Sequence, residues 1–170
     1  MSDPLDQLRN VNLSHLSKQE AKEFTLLLEE LDLRDKRDSS AATFYDFVLN
    51  IWPEFIAGAH HKKMAEAFDK IANGESKRLI INMPPRHTKS EFASYLFPAY
   101  LLGKRPKLKI IEATHTADLA INFGRRVRDL IESDDYAEIF PSTQLKADSR
   151  SAGKWLTSQG GEYYASGIGG

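Results

Sequence analysis

Cysteine is absent from this 170-residue chain, which excludes disulfide bonds and thiolate metal sites and fits a reducing compartment. No apolar run approaches the roughly 20 residues that a membrane-spanning helix needs. The first residues, Met1-Ser2-Asp3-Pro4, lack the basic and then apolar pattern of a signal peptide. The net charge is only −1, so the chain as a whole has no net electrostatic attraction to nucleic acid. This does not exclude a local basic face. The composition predicts a globular protein, and the lack of a long apolar run predicts no membrane partner.

Two helices are predicted before residue 52. Ser17 and Glu20 have the spacing of a capping box, which begins the first helix. A polar break is expected from Asp35 to Ser40, and a second short helix should end before Pro53. The inward positions of this second helix are Phe44, Phe47, Val48 and Ile51. Residues 1–51 are therefore predicted to form an N-terminal helical segment.

Strands and helices alternate in the next part of the chain. A helix from His61 to Ile71 should close in a left-handed turn at Gly74. The apolar run Leu79-Ile80-Ile81 is predicted to be a short buried strand. The helix that begins near Ser90 should be kinked or split by Pro98 and should end at Gly103. This alternation predicts a parallel sheet flanked by helices.

The pattern continues through a second strand and a further helix. Leu108 to Ala113 is predicted to be a strand, and Thr116 is the expected N-cap of the helix that follows. Beyond Pro141 the pattern weakens. Two short strands, at residues 155–157 and 162–165, are expected to form a hairpin through Gly160-Gly161.

The segment Pro84-Pro85-Arg86-His87-Thr88-Lys89-Ser90 has the order of parts that a phosphate-binding loop needs. The predicted strand precedes it, a lysine can reach the β and γ phosphates, and a serine can hold Mg²⁺ at the start of a helix. The usual pattern has glycines where Met83 and Thr88 stand. Because positive φ is strained at a β-branched residue, either the loop is less wound at Thr88 or its nucleotide affinity is reduced.

The residues around this loop resemble the ATPase signature of the large terminase subunits of tailed phages. The family typically reads R-L-I-I-N-M-P-P-R-H-G-K-S where Arg78 to Ser90 stand, and only Thr88 departs from it. The resemblance covers roughly residues 52–170. It includes the segment from His60 to Glu75, the segment from Phe97 to Gly103, and the region from Ala113 to Arg128.

The resemblance implies an incomplete P-loop NTPase domain of the ASCE type over residues 52–170. Such a subunit hydrolyses ATP with Mg²⁺ in the cytoplasm of the infected bacterium and drives double-stranded DNA into the procapsid. Its partners would be the portal protein, the small terminase subunit and further copies in a ring, and the full protein would carry a nuclease domain. No acidic strand follows Ser90, so the chain is expected to stop before the ATPase site is complete, in a flexible glycine stretch from Ser166 to Gly170.

Each loop residue has an expected role. Lys89 should neutralise the β and γ phosphates, Ser90 should bind Mg²⁺, and Arg86 is placed by the resemblance near the γ phosphate, with a solvated arginine as the alternative. Pro84 and Pro85 restrict φ and can hold the loop open. Thr88 and His87 complete the loop. For His87, a role in filling the loop is favoured over a role as a catalytic base. His60 and His61 are candidates for the border of the adenine pocket, and the alternative is a surface pair at the start of the helix.

Basic residues concentrate near the loop. Residues 76–109 contain eight Lys or Arg and one acid, and the cluster from Lys104 to Lys109 can contact a phosphate backbone or form a solvated turn. Arg125, Arg126 and Arg128 can serve a neighbouring subunit or lie on a solvated helix face. Two other functions stay open: another nucleic-acid-stimulated ATPase such as a helicase, and a degenerate nucleotide-binding or scaffold module.

Overall fold

The computed structural model describes residues 17–168 of the chain. They belong to two compact units, one that ends at Ser39 and one that begins at Ser40. Residues 1–16, which the predicted N-terminal segment includes, lie outside the described part, as do Gly169 and Gly170. No helix between residues 17 and 168 combines the length and the apolarity that crossing a membrane requires.

The first described helix, α1, spans Lys18–Ala42. Its start confirms the capping box, because the Ser17 amide donates to Glu20 at 2.8 Å and the Glu20 amide donates to the Ser17 hydroxyl at 3.3 Å. The predicted break from Asp35 to Ser40 is wrong, since the helix continues through it. Lysine and arginine favour helix, and a polar stretch is compatible with an exposed helix that needs no buried face.

Aromatic side chains from three helices form the core of the second unit. Helices α2 (Phe44–Ile51) and α3 (Ala59–Ala72) confirm the predicted helices there. Phe44 is fully buried at the centre, within 5.2–5.6 Å, between ring centroids, of Phe68, Phe92, Phe97 and Tyr100. The helix α2 therefore belongs to the same core as the helix that follows the loop.

The helix after the loop is not a regular α-helix. Residues Glu91–Leu96 form a π-helical segment that continues as α4, Phe97–Lys104. Pro98 lies in the first turn of α4 and has no N–H to donate to the turn before it. The wider π-helical turn accommodates that missing donor, so the sequence disturbance at Pro98 produces a change of helix type.

The sheet has four strands in the order β1-β4-β3-β2. β1 pairs with β4 in parallel, and β4–β3 and β3–β2 are antiparallel. The predicted α/β class is confirmed, but the sheet is mixed because the 155–165 hairpin, itself confirmed, supplies antiparallel strands. The strands are β1 (Lys109–Thr114), β2 (Leu145–Arg150), β3 (Lys154–Thr157) and β4 (Glu162–Gly167). Ser166 and Gly167, expected in a flexible stretch, belong to β4.

Two further helices complete the unit. Helix α5 (Ala117–Ile131) begins at Thr116, whose side chain accepts from the Leu119 amide as predicted, and it packs against β4 and β1. The Trp155 indole donates to the Gly124 carbonyl at 3.0 Å, which fastens β3 to this helix. A short helix, α6 (Asp134–Ile139), and β2 were not predicted.

The predicted buried strand Leu79-Ile80-Ile81 is wrong. These residues form no strand, and Leu79 and Ile80 are 38% and 84% exposed. A strand requires a neighbouring chain to pair its backbone groups, and no segment between residues 17 and 168 pairs with this one. The apolar run alone could not supply that neighbour.

Candidate phosphate-binding loop

The loop from Met83 to Ser90 encloses a cavity of about 630 Å³, which Glu91 also lines. It connects the segment after α3 to the helical segment that begins before Glu91. The first backbone hydrogen bond of that helical segment runs from the Phe92 amide to the Thr88 carbonyl at 2.9 Å. The amides of residues 89 to 91 therefore lie in its first turn, where amides have no partner within the helix.

The loop backbone alternates in handedness. Arg86 has φ of 63° and Thr88 has φ of 54°, whereas the ring of Pro85 holds its own φ near −65°. Alternation of this kind directs successive N–H groups towards one concavity, which is the backbone geometry of an anion-binding nest. Thr88 therefore adopts the wound conformation that glycine would adopt freely, and a β-branched residue does so at a cost of about 1–2 kcal/mol.

Lys89 faces across the loop. Its ammonium nitrogen donates to the Met83 carbonyl at 3.5 Å, and its side chain is half-buried. This contact joins the last part of the loop to its beginning, six residues earlier. Lys89 is also one of the residues that line the loop cavity.

Ser90 is exposed and makes no capping hydrogen bond with its side chain. Its backbone is already helical, with φ of −72° and ψ of −34°. Both Ser90 and Lys89 also line a second cavity of about 500 Å³. The other walls of that cavity come from α3, the segment before the loop and the helical segment after it, and they are Phe68, Ile71, Lys77, Leu79, Ile81, Ala93, Ser94 and Phe97.

Three histidines lie beside the loop. The ring centroids of His60 and His61 are 3.7 Å apart, and those of His60 and His87 are 5.7 Å apart. His61 is buried, whereas His60 and His87 are exposed. Burial lowers the pKa of His61, and its two neighbours lower that pKa further when they carry charge. Neutral His61 is therefore favoured.

The other predicted loop residues are on the surface. Pro84, Pro85 and Arg86 are all exposed, so the Arg86 guanidinium is accessible from solvent beside the cavity. The His87 ring nitrogen Nδ1 lies 2.9 Å from the Pro85 carbonyl oxygen. This contact lies within the loop and is consistent with His87 filling the turn. The roles of Pro84, Pro85, Arg86 and His87 towards a nucleotide stay predictions.

Arg126 has a partner within its own chain. It forms a bidentate ion pair with Glu91, with one contact at 3.0 Å, and its guanidinium lies 4.1 Å from the centre of the Tyr95 ring. The hydrogen bond to Glu91 raises the pKa of Arg126. The pair fastens α5 to the first turn after the loop. Arg128 pairs with Asp129 at 2.7 Å, while Arg125 is exposed.

Glu112 on β1 is half-buried, which was not predicted. Burial raises its pKa, and a hydrogen bond with Ser94, a residue of the second cavity, lowers it less. Among the described residues, the hydroxyl of the buried Tyr163 has no hydrogen-bond partner. Burial raises the pKa of that tyrosine most, and the nearby Glu112 charge raises it further. The alternating pattern of β1 could have identified Glu112, because Glu112 shares a strand face with Ile110.

Comparison with known proteins assigns no family. No protein-family model matches the chain, and neither a curated protein nor a solved structure matches it. Within residues 17–168, no group of three or more His, Asp or Glu side chains is arranged to hold a metal ion. The fold and the loop define a mixed α/β protein with a cationic, wound loop at the start of a helix.

Proposed function

We propose that this chain is the ATP-binding portion of a phage DNA-packaging motor of the large terminase type. The observation that carries the proposal is the Lys89 ammonium, held 3.5 Å from the Met83 carbonyl across the mouth of a wound loop. The segment from Arg78 to Ser90 resembles the terminase ATPase signature, and this resemblance is the reason for proposing a loop of the terminase type. A loop of this kind, followed by a helix, favours the phosphates of a nucleotide over uncharged ligands.

The residues present fit a nucleotide phosphate chain. Amides of the loop and of the first helical turn would donate to phosphate oxygens, and Lys89 would neutralise the β and γ phosphates. The exposed Ser90 hydroxyl would hold Mg²⁺, which neutralises developing charge during phosphoryl transfer. Arg86, exposed beside the cavity, would approach the γ phosphate.

A basic surface supports double-stranded DNA as a partner. The Arg105 guanidinium donates to the Ala72 carbonyl at the end of α3. This contact brings the turn after α4 beside the segment after α3. Four exposed cations flank that junction, namely Lys77, Arg78, Lys107 and Lys109. Lys104 and Arg105 are exposed too, but each donates to a backbone carbonyl, so the DNA contact is assigned to the other four.

The remaining parts of the proposal come from the resemblance. The motor would act as a ring of copies at the portal of the procapsid, together with the small terminase subunit, in the cytoplasm of the infected bacterium. The nuclease activity would belong to a further domain. Arg125, exposed on α5, would serve the nucleotide of a neighbouring copy.

One experiment with two arms tests the proposal. In calorimetry, ATP–Mg²⁺ should bind with a Kd on the order of 0.1–1 mM, and adenosine should not bind, because the phosphates supply the contacts. In a mobility-shift assay, double-stranded DNA of any sequence should bind, with an affinity that falls steeply as salt rises. Equal binding of adenosine would refute the phosphate site.

The DNA arm has a matched control. Replacing both Lys107 and Lys109 by alanine should weaken DNA binding about tenfold at low salt, since two phosphate contacts are removed. The same change at Lys62 and Lys63, exposed on α3, should have a smaller effect. Nucleotide binding without any DNA binding would instead favour a nucleotide-sensing module.

A further inference from the structure

His61 is held in one tautomer by the start of its own helix. The Gly58 amide donates to His61 Nδ1 at 2.9 Å, and a ring nitrogen that accepts carries no proton. In the neutral ring, the proton is therefore on Nε2. The ring is buried against Phe55 and Phe92, with centroid distances of 4.7 and 5.6 Å, so its direction is fixed by packing.

That fixed ring donates to the loop. His61 Nε2 lies 2.6 Å from the Thr88 hydroxyl oxygen, 27 residues away in sequence. Thr88 is the β-branched residue at φ of 54°, immediately before Lys89. Of the two loop positions with positive φ, Arg86 and Thr88, the hydrogen bond reaches the one that carries a β-branched residue, for which this conformation is strained.

We propose that His61 is a positioning residue for the phosphate-binding loop. Its Nε2–H, directed by Gly58, holds the Thr88 hydroxyl and so maintains the left-handed turn that presents Lys89 to the cavity. The chain thereby obtains, from a side-chain contact between α3 and the loop, the conformation that glycine would supply by itself. The consequence for nucleotide binding rests on the proposed function above.

Both His61 nitrogens are engaged within the protein by this arrangement. A hydrogen bond from either His61 nitrogen to a nucleotide base would therefore require one of these two bonds to break. His60, which is exposed one residue earlier, is free of that constraint. His61 thus acts on a nucleotide through Thr88 and Lys89.

A double-mutant cycle tests the proposal. His61→Phe keeps a ring but deletes the donor, and it should weaken ATP–Mg²⁺ binding about tenfold when Thr88 is present. In the Thr88→Gly background the same change should alter the Kd less than about twofold, because glycine adopts positive φ without support. His61→Gln, whose amide can donate in place of Nε2–H, should recover most of the affinity.

Equal losses in both backgrounds would overturn the proposal, because His61 would then act by packing or by direct contact. So would an unchanged Kd for His61→Phe. If His61→Phe fails to fold, Thr88→Val serves instead: it removes the hydroxyl acceptor and keeps the branched shape. It should weaken ATP binding by about tenfold, and wild-type affinity in this variant would contradict the proposed hydrogen bond.

A readout without nucleotide separates this proposal from the proposed function. In ¹⁵N NMR of the full chain, His61 should be the neutral Nε2–H tautomer, and its Nε2 proton should exchange with water at least tenfold faster in Thr88→Val. An Nδ1–H tautomer, or equal exchange in both proteins, would overturn the hydrogen bond. Failure of the wild-type chain to bind ATP, with the expected NMR result, would refute only the proposed function.

Discussion

Replacing Lys89 by alanine should reduce the affinity for ATP–Mg²⁺ by about 30- to 100-fold. The Lys89 ammonium is the cation that lies across the loop mouth, 3.5 Å from the Met83 carbonyl. A hydrogen bond to a charged group contributes about 1.5–3 kcal/mol, and each 1.4 kcal/mol changes the affinity tenfold. Calorimetric titration of the two proteins with ATP–Mg²⁺ measures the difference.

Lys63→Ala is the matched control for this change. Lys63 is an exposed lysine of α3 outside the residues that line the loop cavity, so its removal should change the Kd by less than twofold. Thermal melts should show that both variants stay folded. Equal affinities of the Lys89 variant and the wild type would mean that the lysine does not bind phosphate.

Replacing Phe44 by alanine should lower the free energy of unfolding by about 4 kcal/mol, which corresponds to a fall in Tm on the order of 10–15 °C. Phe44 is fully buried at the centre of the aromatic core. Its ring contacts Phe92, the second residue after Ser90, at a centroid distance of 5.5 Å. The cavity left by alanine therefore lies directly beneath the helical segment that carries the loop.

Leu49→Ala provides the control on the same helix. Leu49 is 41% exposed, so its truncation should cost less than about 1 kcal/mol. Differential scanning calorimetry compares the two variants with the wild type. A Phe44 variant that melts at the same temperature as the Leu49 variant would show that the aromatic cluster does not support the unit.

Local patterns predicted the elements that depend on their own residues. Helix α5 follows from its apolar spacing and the Thr116 cap, and the β3–β4 hairpin follows from two apolar segments around Gly160-Gly161. In each case the hydrogen bonds close within a short stretch of chain. The capping box at Ser17 is of the same kind.

Elements that depend on distant partners were not predictable in this way. Leu79 to Ile81 has the composition of a strand, but its pairing requires a neighbour that its own residues do not determine. The pairing of this hairpin with β1 has the same cause, because β1 and β4 are about fifty residues apart in sequence. Side-chain pairs between elements, such as Arg126 with Glu91, cannot be predicted from the local spacing of residues.

The candidate site contains both a feature that local sequence predicts and one that depends on a distant residue. The order of Lys89 and Ser90 after an apolar run indicated the loop from sequence alone. Thr88, in contrast, predicted either a less wound loop or a weaker one, because threonine resists positive φ. The contact that supports its left-handed turn comes from His61, on a helix that ends before the loop begins, and spacing gives no sign of it.

The central claim is that the wound loop binds the phosphates of a nucleotide. Backbone amide chemical shifts of the full chain, followed during titration with ATP–Mg²⁺, test it most directly. The largest shifts should fall on residues 86 to 91, should saturate, and should be absent when adenosine is added. Shifts confined to other residues, or no shift at millimolar ATP, would contradict the account.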